Sequence, residues 1–308
     1  MPARPRVLAD LPVGPAVIEL LADRVELVPW SSPAADIAAI YTYGHPAVTG
    51  DLLDRLPGAR LVSNFGVGVD HIDLKATAAR GIPVGNTPGV LDGATADLGF
   101  SLLLAAGRRI VEGDRYARGP DFLKYDPSRY LGREIHHATL GIVGMGRIGA
   151  QVARRARGFD MTVLYHNRRP RPEEATLSAK WVPLDELLRT ADFVILTVPL
   201  SPETRGLIGR DQLALMKPTA CLINIARGAV VDQMALTECL QANRLHAAAL
   251  DVTDPEPLPR DHPLLTLDNV IITPHLGSAT DQTRRRMAEL SVSNLMAGLV
   301  GEKMVFTP

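Results

Sequence analysis

Short runs rich in Val, Ile and Leu alternate with helix-length segments along almost the whole chain of 308 residues. In the first part these runs fall at 6–8, 26–28, 37–42, 60–64 and 84–86. In the second they fall at 140–143, 162–165, 193–198, 221–225, 247–252 and 270–273, nearly continuous in apolar residues. Such runs predict strands buried on both faces, as in a parallel sheet covered by crossover helices. The mostly apolar stretch from Asp92 to Val111 carries Asp97 near its start and Arg108 and Arg109 near its end, which predicts one long helix leading into a second domain. Residues 112–137, with Pro120 and Pro127, are expected to form a loop-like arm or interface element. Residues 279–299 have helical spacing, with Arg284 to Arg286 expected on the exposed side.

Length and charge narrow the picture. A chain of 308 residues has room for two domains. Lys and Arg total 33 against 34 Asp and Glu, a net charge of −1, so no whole-chain field draws in nucleic acid or an anionic membrane. The longest apolar run, near Phe100 to Ala106, falls short of the roughly 18 residues of a membrane span. Asp10, Glu19, Asp23 and Glu26 interrupt any secretory signal, and a cytoplasmic protein is expected. Cys221 and Cys239 lack metal or disulfide spacing and are expected to be reduced core residues, with no metal site.

The clearest chemical signal lies in the middle of the chain. The strand-like run 139–143 leads into Gly144-Met145-Gly146-Arg147-Ile148-Gly149, and 150–157 continues as a helix. Isolated glycines also mark structural turns, but between a buried strand and a helix this GxGxxG predicts a dinucleotide site. The first glycine permits the turn, the second admits the pyrophosphate, and the third lets helix and strand pack. About 20 positions on, where NAD binding calls for an acid, the chain reads His166-Asn167-Arg168-Arg169-Pro170-Arg171, with no carboxylate before Glu173. Arg168 and Arg169 can grip a 2′-phosphate, so NADP(H) is expected in preference to NAD(H). A solvated basic loop is the plainer alternative.

Three ionisable residues follow strands of the second half: Arg227 after 221–226, Glu256 within Asp254-Pro255-Glu256-Pro257, and His275 after Ile271-Ile272-Thr273-Pro274. Strand carboxyl ends line the ligand crevice of an open α/β sheet, so all three point to one place. Taken singly, each also reads as a solvated arginine, a turn residue or a structural histidine.

Asn224-Ile225-Ala226-Arg227-Gly228, Leu250-Asp251-Val252 with Pro255-Glu256-Pro257-Leu258, and Thr273-Pro274-His275-Leu276-Gly277-Ser278-Ala279-Thr280 resemble the ordered signatures of the D-isomer-specific 2-hydroxyacid dehydrogenases. Asn64-Phe65-Gly66-Val67-Gly68-Val69-Asp70 and Thr95-Ala96-Asp97-Leu98 resemble two more, so the likeness spans essentially the whole chain. Within the family, 251–259 with His262-Pro263-Leu264-Leu265 is most similar to glyoxylate/hydroxypyruvate reductases.

The resemblance implies a Rossmann-type dinucleotide domain, 92–278, inserted into a smaller flavodoxin-like α/β substrate domain formed by 1–91 and 279–308. It implies a homodimer through 92–137, acting on a small 2-oxo acid. Arg227 would hold the substrate carboxylate, His275 would be the general acid, and Glu256 would orient it, while Val67 and Gly68 would offer backbone N–H groups to the carboxylate. Asp251 would contact the nicotinamide carboxamide, and Pro199, Ile225, Gly277 and Asn167 would line the cofactor channel. Other implied readings are a D-3-phosphoglycerate, D-lactate or formate dehydrogenase, or a dinucleotide-sensing corepressor. Glu256 speaks against the formate enzyme, which carries an amide there. Some relatives place a Trp in the arm, whereas this chain has only Trp30 and Trp181.

Overall fold

The computed structural model describes residues 3–10, 12–32, 35–172, 174–305 and 307. The chain divides into two compact units, one of Met1–Leu91 with Ala279–Pro308 and the other of Asp92–Ser278.

The first unit is a five-stranded parallel sheet. Its strands are β1 (Arg6–Ala9), β2 (Glu26–Pro29), β3 (Ile37–Thr42), β4 (Val62–Asn64) and β5 (Val84–Gly85), in the order β2-β1-β3-β4-β5. Helices α1 (Pro15–Leu21), α2 (Gly50–Asp54) and α3 (Leu74–Ala79) connect them. The C-terminal helix, Asp281–Leu299, returns to this sheet and is fixed there by polar contacts inside the core. The Tyr41 hydroxyl lies 2.8 Å from Ser291 Oγ, Ser63 donates to the Ser291 carbonyl at 2.7 Å, and Asn294 donates to the Asn86 carbonyl at 3.0 Å. Buried polar groups need such partners, and these pairs set the register of helix on sheet.

The second unit opens with α4 (Asp92–Gly107) and α5 (Ile110–Arg118), then runs β6 (Thr139–Val143), α6 (Arg147–Ala156), β7 (Thr162–His166), α7 (Glu174–Leu177), β8 (Ala179–Trp181), α8 (Leu184–Thr190), β9 (Phe193–Leu196), α9 (Arg210–Leu215), β10 (Cys221–Asn224), α10 (Gln233–Gln241), β11 (Ala247–Leu250) and β12 (Val270–Ile272). Its seven parallel strands lie in the order β12-β11-β10-β9-β6-β7-β8. The order reverses beside β6, which places the ligand crevice of such a sheet at the carboxyl ends of β6 and β9. Strands β9 and β10 are buried at every position, as their almost wholly apolar sequence requires, with Asn224 the polar exception at the end of β10. The Rossmann-type α/β class expected from the sequence is present.

Three local expectations are corrected. The helix foreseen over 92–111 stops at Gly107, and Arg109, at φ 52°, turns the chain into a separate helix. Gly107 is needed at that break: a Cβ there would lie 2.9 Å from the Phe193 ring. Part of the supposed arm is therefore α5, while 119–138 is irregular. The edge strand β8 went unforeseen because it is three residues long and none of them is buried. Arg284 is half-buried, its guanidinium 5.7 Å from the Phe65 ring centroid, and only Arg286 of the arginine run is fully exposed.

Both cysteines are buried, and burial pushes the Cys221 thiol up to about 12. Among the described residues no helix is long and apolar enough to cross a membrane, and no His, Cys, Asp and Glu side chains cluster as a metal site would require.

Candidate active site

The turn after β6 shows what each glycine contributes. Gly144 has φ +102°, and a Cβ on it would meet the Val198 nitrogen at 2.7 Å. A Cβ on Gly149 would meet the Gly144 carbonyl at 2.5 Å, so this glycine lets α6 pack on the turn. A Cβ on Gly146 would meet no protein atom within 4 Å. No protein neighbour thus explains the second glycine, while open space above an uncapped helix N-terminus fits a pyrophosphate. Asn167 braces the turn: its Oδ1 accepts from the Met145 N–H at 2.7 Å, and Arg171 donates to the Met145 carbonyl at 2.8 Å. Arg147 donates to Asp92 at 2.8 Å, and Ile148 packs against the core beneath α6.

Arg168 and Arg169 stand exposed at the end of β7, and among the described residues neither makes an ion pair within 4.0 Å. Glu173 lies outside the described residues. Glu203 is the carboxylate whose charge Arg168 favours, after its bonds to Ser201 and its own backbone.

On the far side of the sheet, His275 Nδ1 and Glu256 Oε1 are 2.7 Å apart. A carboxylate only accepts, which assigns the proton to Nδ1. Asp251, only 2% exposed, holds the loop that carries the imidazole. Its Oδ1 accepts from the Thr273 hydroxyl at 2.6 Å and the Leu276 N–H at 2.7 Å, and its Oδ2 from the Gly277 N–H at 2.8 Å. His275 itself sits at φ 56°, a left-handed conformation that a non-glycine residue keeps only where its surroundings over-determine it. Burial raises the Asp251 carboxyl above its ordinary value, against the opposing pull of these donors.

Arg227 follows β10 and is half-buried. Asn224 shapes its loop, donating to the Arg227 carbonyl at 2.9 Å and accepting from the Ala226 N–H at 3.0 Å. The next residue, Gly228, touches the loop of Glu256 so closely that a Cβ would overlap the Thr253 carbonyl group. Arg227 and Glu256 are therefore carried by two loops in direct backbone contact, and His275, on the loop after β12, is joined to them through its bond to Glu256. Ile225 is buried against Gly99 of α4, and Pro199 is exposed after β9, its carbonyl accepting from Thr204 at 2.7 Å.

The loop of Val67 and Gly68 belongs to the first unit and has its own scaffold. The carbonyls of Phe65, Gly66, Val67 and Gly68 accept from Thr87, Asn64, Asn86 and again Asn64 at 2.8–2.9 Å. The carbonyls of the loop are thus tied down, while the Val67 and Gly68 N–H groups bond to no described residue. Sequence reasoning missed this scaffold, although Asn64 and Asn86 at strand ends were a readable signal. It also missed Gly228 and Thr253, whose importance appears only when two loops far apart in the chain touch.

Comparison with known proteins gives a consistent result. A family model described as D-isomer specific 2-hydroxyacid dehydrogenase, NAD binding domain, matches residues 100–277. The chain is 43% identical to a glyoxylate reductase of Korarchaeum cryptofilum, over 97% of this chain and 94% of that protein. A crystal structure of a Thermus thermophilus protein has TM-score 0.89 and 43% identity, covering 98% of this chain and 99% of that one. An NADPH-dependent glyoxylate/hydroxypyruvate reductase of Sinorhizobium meliloti, in complex with NADP and malonate, has TM-score 0.91 and 32% identity, covering 99% and 97%.

Proposed function

The chain belongs to the D-isomer specific 2-hydroxyacid dehydrogenase family, and from that membership we propose that it reduces small 2-oxo acids, glyoxylate and hydroxypyruvate foremost, to D-2-hydroxy acids with NADPH. The observation that carries this reading is the 2.7 Å His275–Glu256 pair, whose Glu256 sits on a loop packed against that of Arg227.

A bound nicotinamide dinucleotide supplies the hydride that reaches the carbonyl carbon. His275, its Nδ1–H committed to Glu256, donates a proton from Nε2 to the carbonyl oxygen, so the ketone becomes an alcohol. Arg227 grips the substrate carboxylate with its charged fork, and the Val67 and Gly68 N–H groups are the first unit's own candidates for binding an anion. Asp251 Oδ1 already accepts two hydrogen bonds, whereas Oδ2 accepts one and retains a site for a carboxamide N–H. Exposed Arg168 and Arg169 support a 2′-phosphate, as does the likeness to an NADPH-dependent enzyme. The reading includes a homodimer formed through residues 92–137, which comprise α4, α5 and the irregular segment that follows them.

Initial rates on a panel of 2-oxo acids, each with NADPH and NADH, test it. Charge-assisted bonds to a phosphate are worth about 1.5–3 kcal/mol each, so kcat/KM should favour NADPH by at least about tenfold. His275→Ala should lose about a hundredfold or more in kcat with NADPH affinity nearly unchanged. Because reduction consumes the imidazole proton, the reductive rate should fall and the oxidative rate rise with increasing pH. No turnover of any 2-oxo acid sinks the proposal, and equal use of NADH removes Arg168 and Arg169 from it.

A further inference from the structure

Gln233 is the first residue of α10, whose N-terminus is capped by Asp232 accepting from the Ala235 N–H at 3.0 Å. A residue there is expected to serve its own helix. Instead its side-chain amide reaches 21 positions along the chain: Nε2 donates to the Asp254 carbonyl at 2.8 Å, and Oε1 accepts from the Asp254 N–H at 3.1 Å. Both polar ends of one amide thus read both backbone groups of one residue, which ties down the two peptide groups that flank Asp254. His262 Nε2 flanks the amide at 3.3 Å.

Asp254 begins the turn that presents Glu256. Within it the Thr253 hydroxyl donates to the Pro255 carbonyl at 2.9 Å, and the Thr253 N–H reaches Glu256 Oε2 at 3.3 Å. The other carboxylate oxygen holds His275 at 2.7 Å. These internal bonds shape the turn, but Gln233 and the contact at Gly228 tie it to the neighbouring segment. Residues 227–233 run from Arg227 to Gln233, so one short stretch carries the guanidinium at one end and the anchor of the acid's partner at the other.

We propose that Gln233 is a positioning residue for the reaction, clamping the Asp254 backbone so that Glu256 holds His275 in its Nδ1–H form with Nε2 toward the substrate. The kinetic part rests on the function proposed above, while the positioning part does not. Gln233→Met keeps the length of the side chain and deletes both hydrogen bonds, and Gln233→Ala deletes the side chain. In both variants kcat for 2-oxo acid reduction should fall about tenfold, since a small misplacement of a proton donor is costly, while KM for both substrates stays within about twofold. Ring nitrogen shifts of His275 at pH 9, assigned by their loss in His275→Asn, should show the Nδ1–H tautomer dominant in the parent and a mixture in both variants. Thermal melts identify which variants are folded, and either one suffices. An unchanged tautomer, or an unchanged kcat beside a changed tautomer, overturns the proposal. If the parent turns over no 2-oxo acid, the function fails and the nitrogen shifts alone decide the clamp.

Discussion

Asp251 shows how much a single side chain can carry. Its carboxylate takes three hydrogen bonds from 273–277 and thereby fixes a histidine in a left-handed backbone conformation. In Asp251→Asn one amide end faces the Gly277 N–H, donor against donor. That mismatch should cost about 1–3 kcal/mol of stability. Burial raises this carboxyl in the folded state above the ordinary 3.8, so the folded protein binds the proton more tightly than the unfolded chain does. The stabilising effect of that proton is complete below 3.8 and is lost as pH rises through the raised folded value. The stability gap between parent and variant should therefore be widest near pH 4 and narrow toward pH 7, as melting of both proteins across that range would show. A gap that widens with pH contradicts this account. The sequence reading expected Asp251 at the nicotinamide; two of its three loop bonds were invisible because they come from the backbone N–H groups of Leu276 and Gly277, which almost any residue supplies. Gln233 was invisible for the same reason, since it reads the Asp254 backbone.

Among the elements, what was legible was what burial dictates. The apolar runs at 193–198 and 221–225 had to be central strands, and the glycine turn between β6 and α6 had to be a turn. What was illegible was set by contacts far along the chain: the break after α4, made where Gly107 meets Phe193, and the exposed edge strand β8. The packing of the Arg227 loop on the Glu256 loop belongs to the same class. Gly228→Ala forces a Cβ into the Thr253 carbonyl, and backbone must shift to admit it. Overpacking of this kind costs about 1–3 kcal/mol, and a displacement near 1 Å between catalytic groups can cost about a hundredfold in rate. We therefore expect Gly228→Ala to lose far more in kcat than its lowered melting temperature explains, measured well below that temperature. Full activity there would mean that the two loops move independently.

Across the whole molecule, the net charge of −1 conceals local positive charge at Arg168, Arg169 and Arg227, so the expectation of anion binding came from strand ends rather than from composition. The discontinuous first unit was implied by family resemblance alone, because no periodicity announces that residues 279–308 return to residues 1–91. The same resemblance implies a dimer, and exposure offers physical support for it. In the second unit Leu123 is 88% exposed, Tyr125 81% and Leu131 69%, with Ile110 and Phe122 about half exposed. Several apolar side chains this open to water between Ile110 and Leu131 are costly in a lone subunit, which supports the proposed dimer. The same segment has its own aromatic stacking: Arg129 lies 4.2 Å from the Tyr116 ring centroid, and Tyr116 lies 5.3 Å from Tyr130. Light scattering should accordingly give a mass of twice 33.2 kDa. The double variant Leu123→Asp with Leu131→Asp would place charges where the partner surface must be dry, and should yield a folded monomer with unaltered far-ultraviolet circular dichroism. A parent that is monomeric at micromolar concentration, or a double variant that still dimerises, would show that these side chains are exposed for another reason.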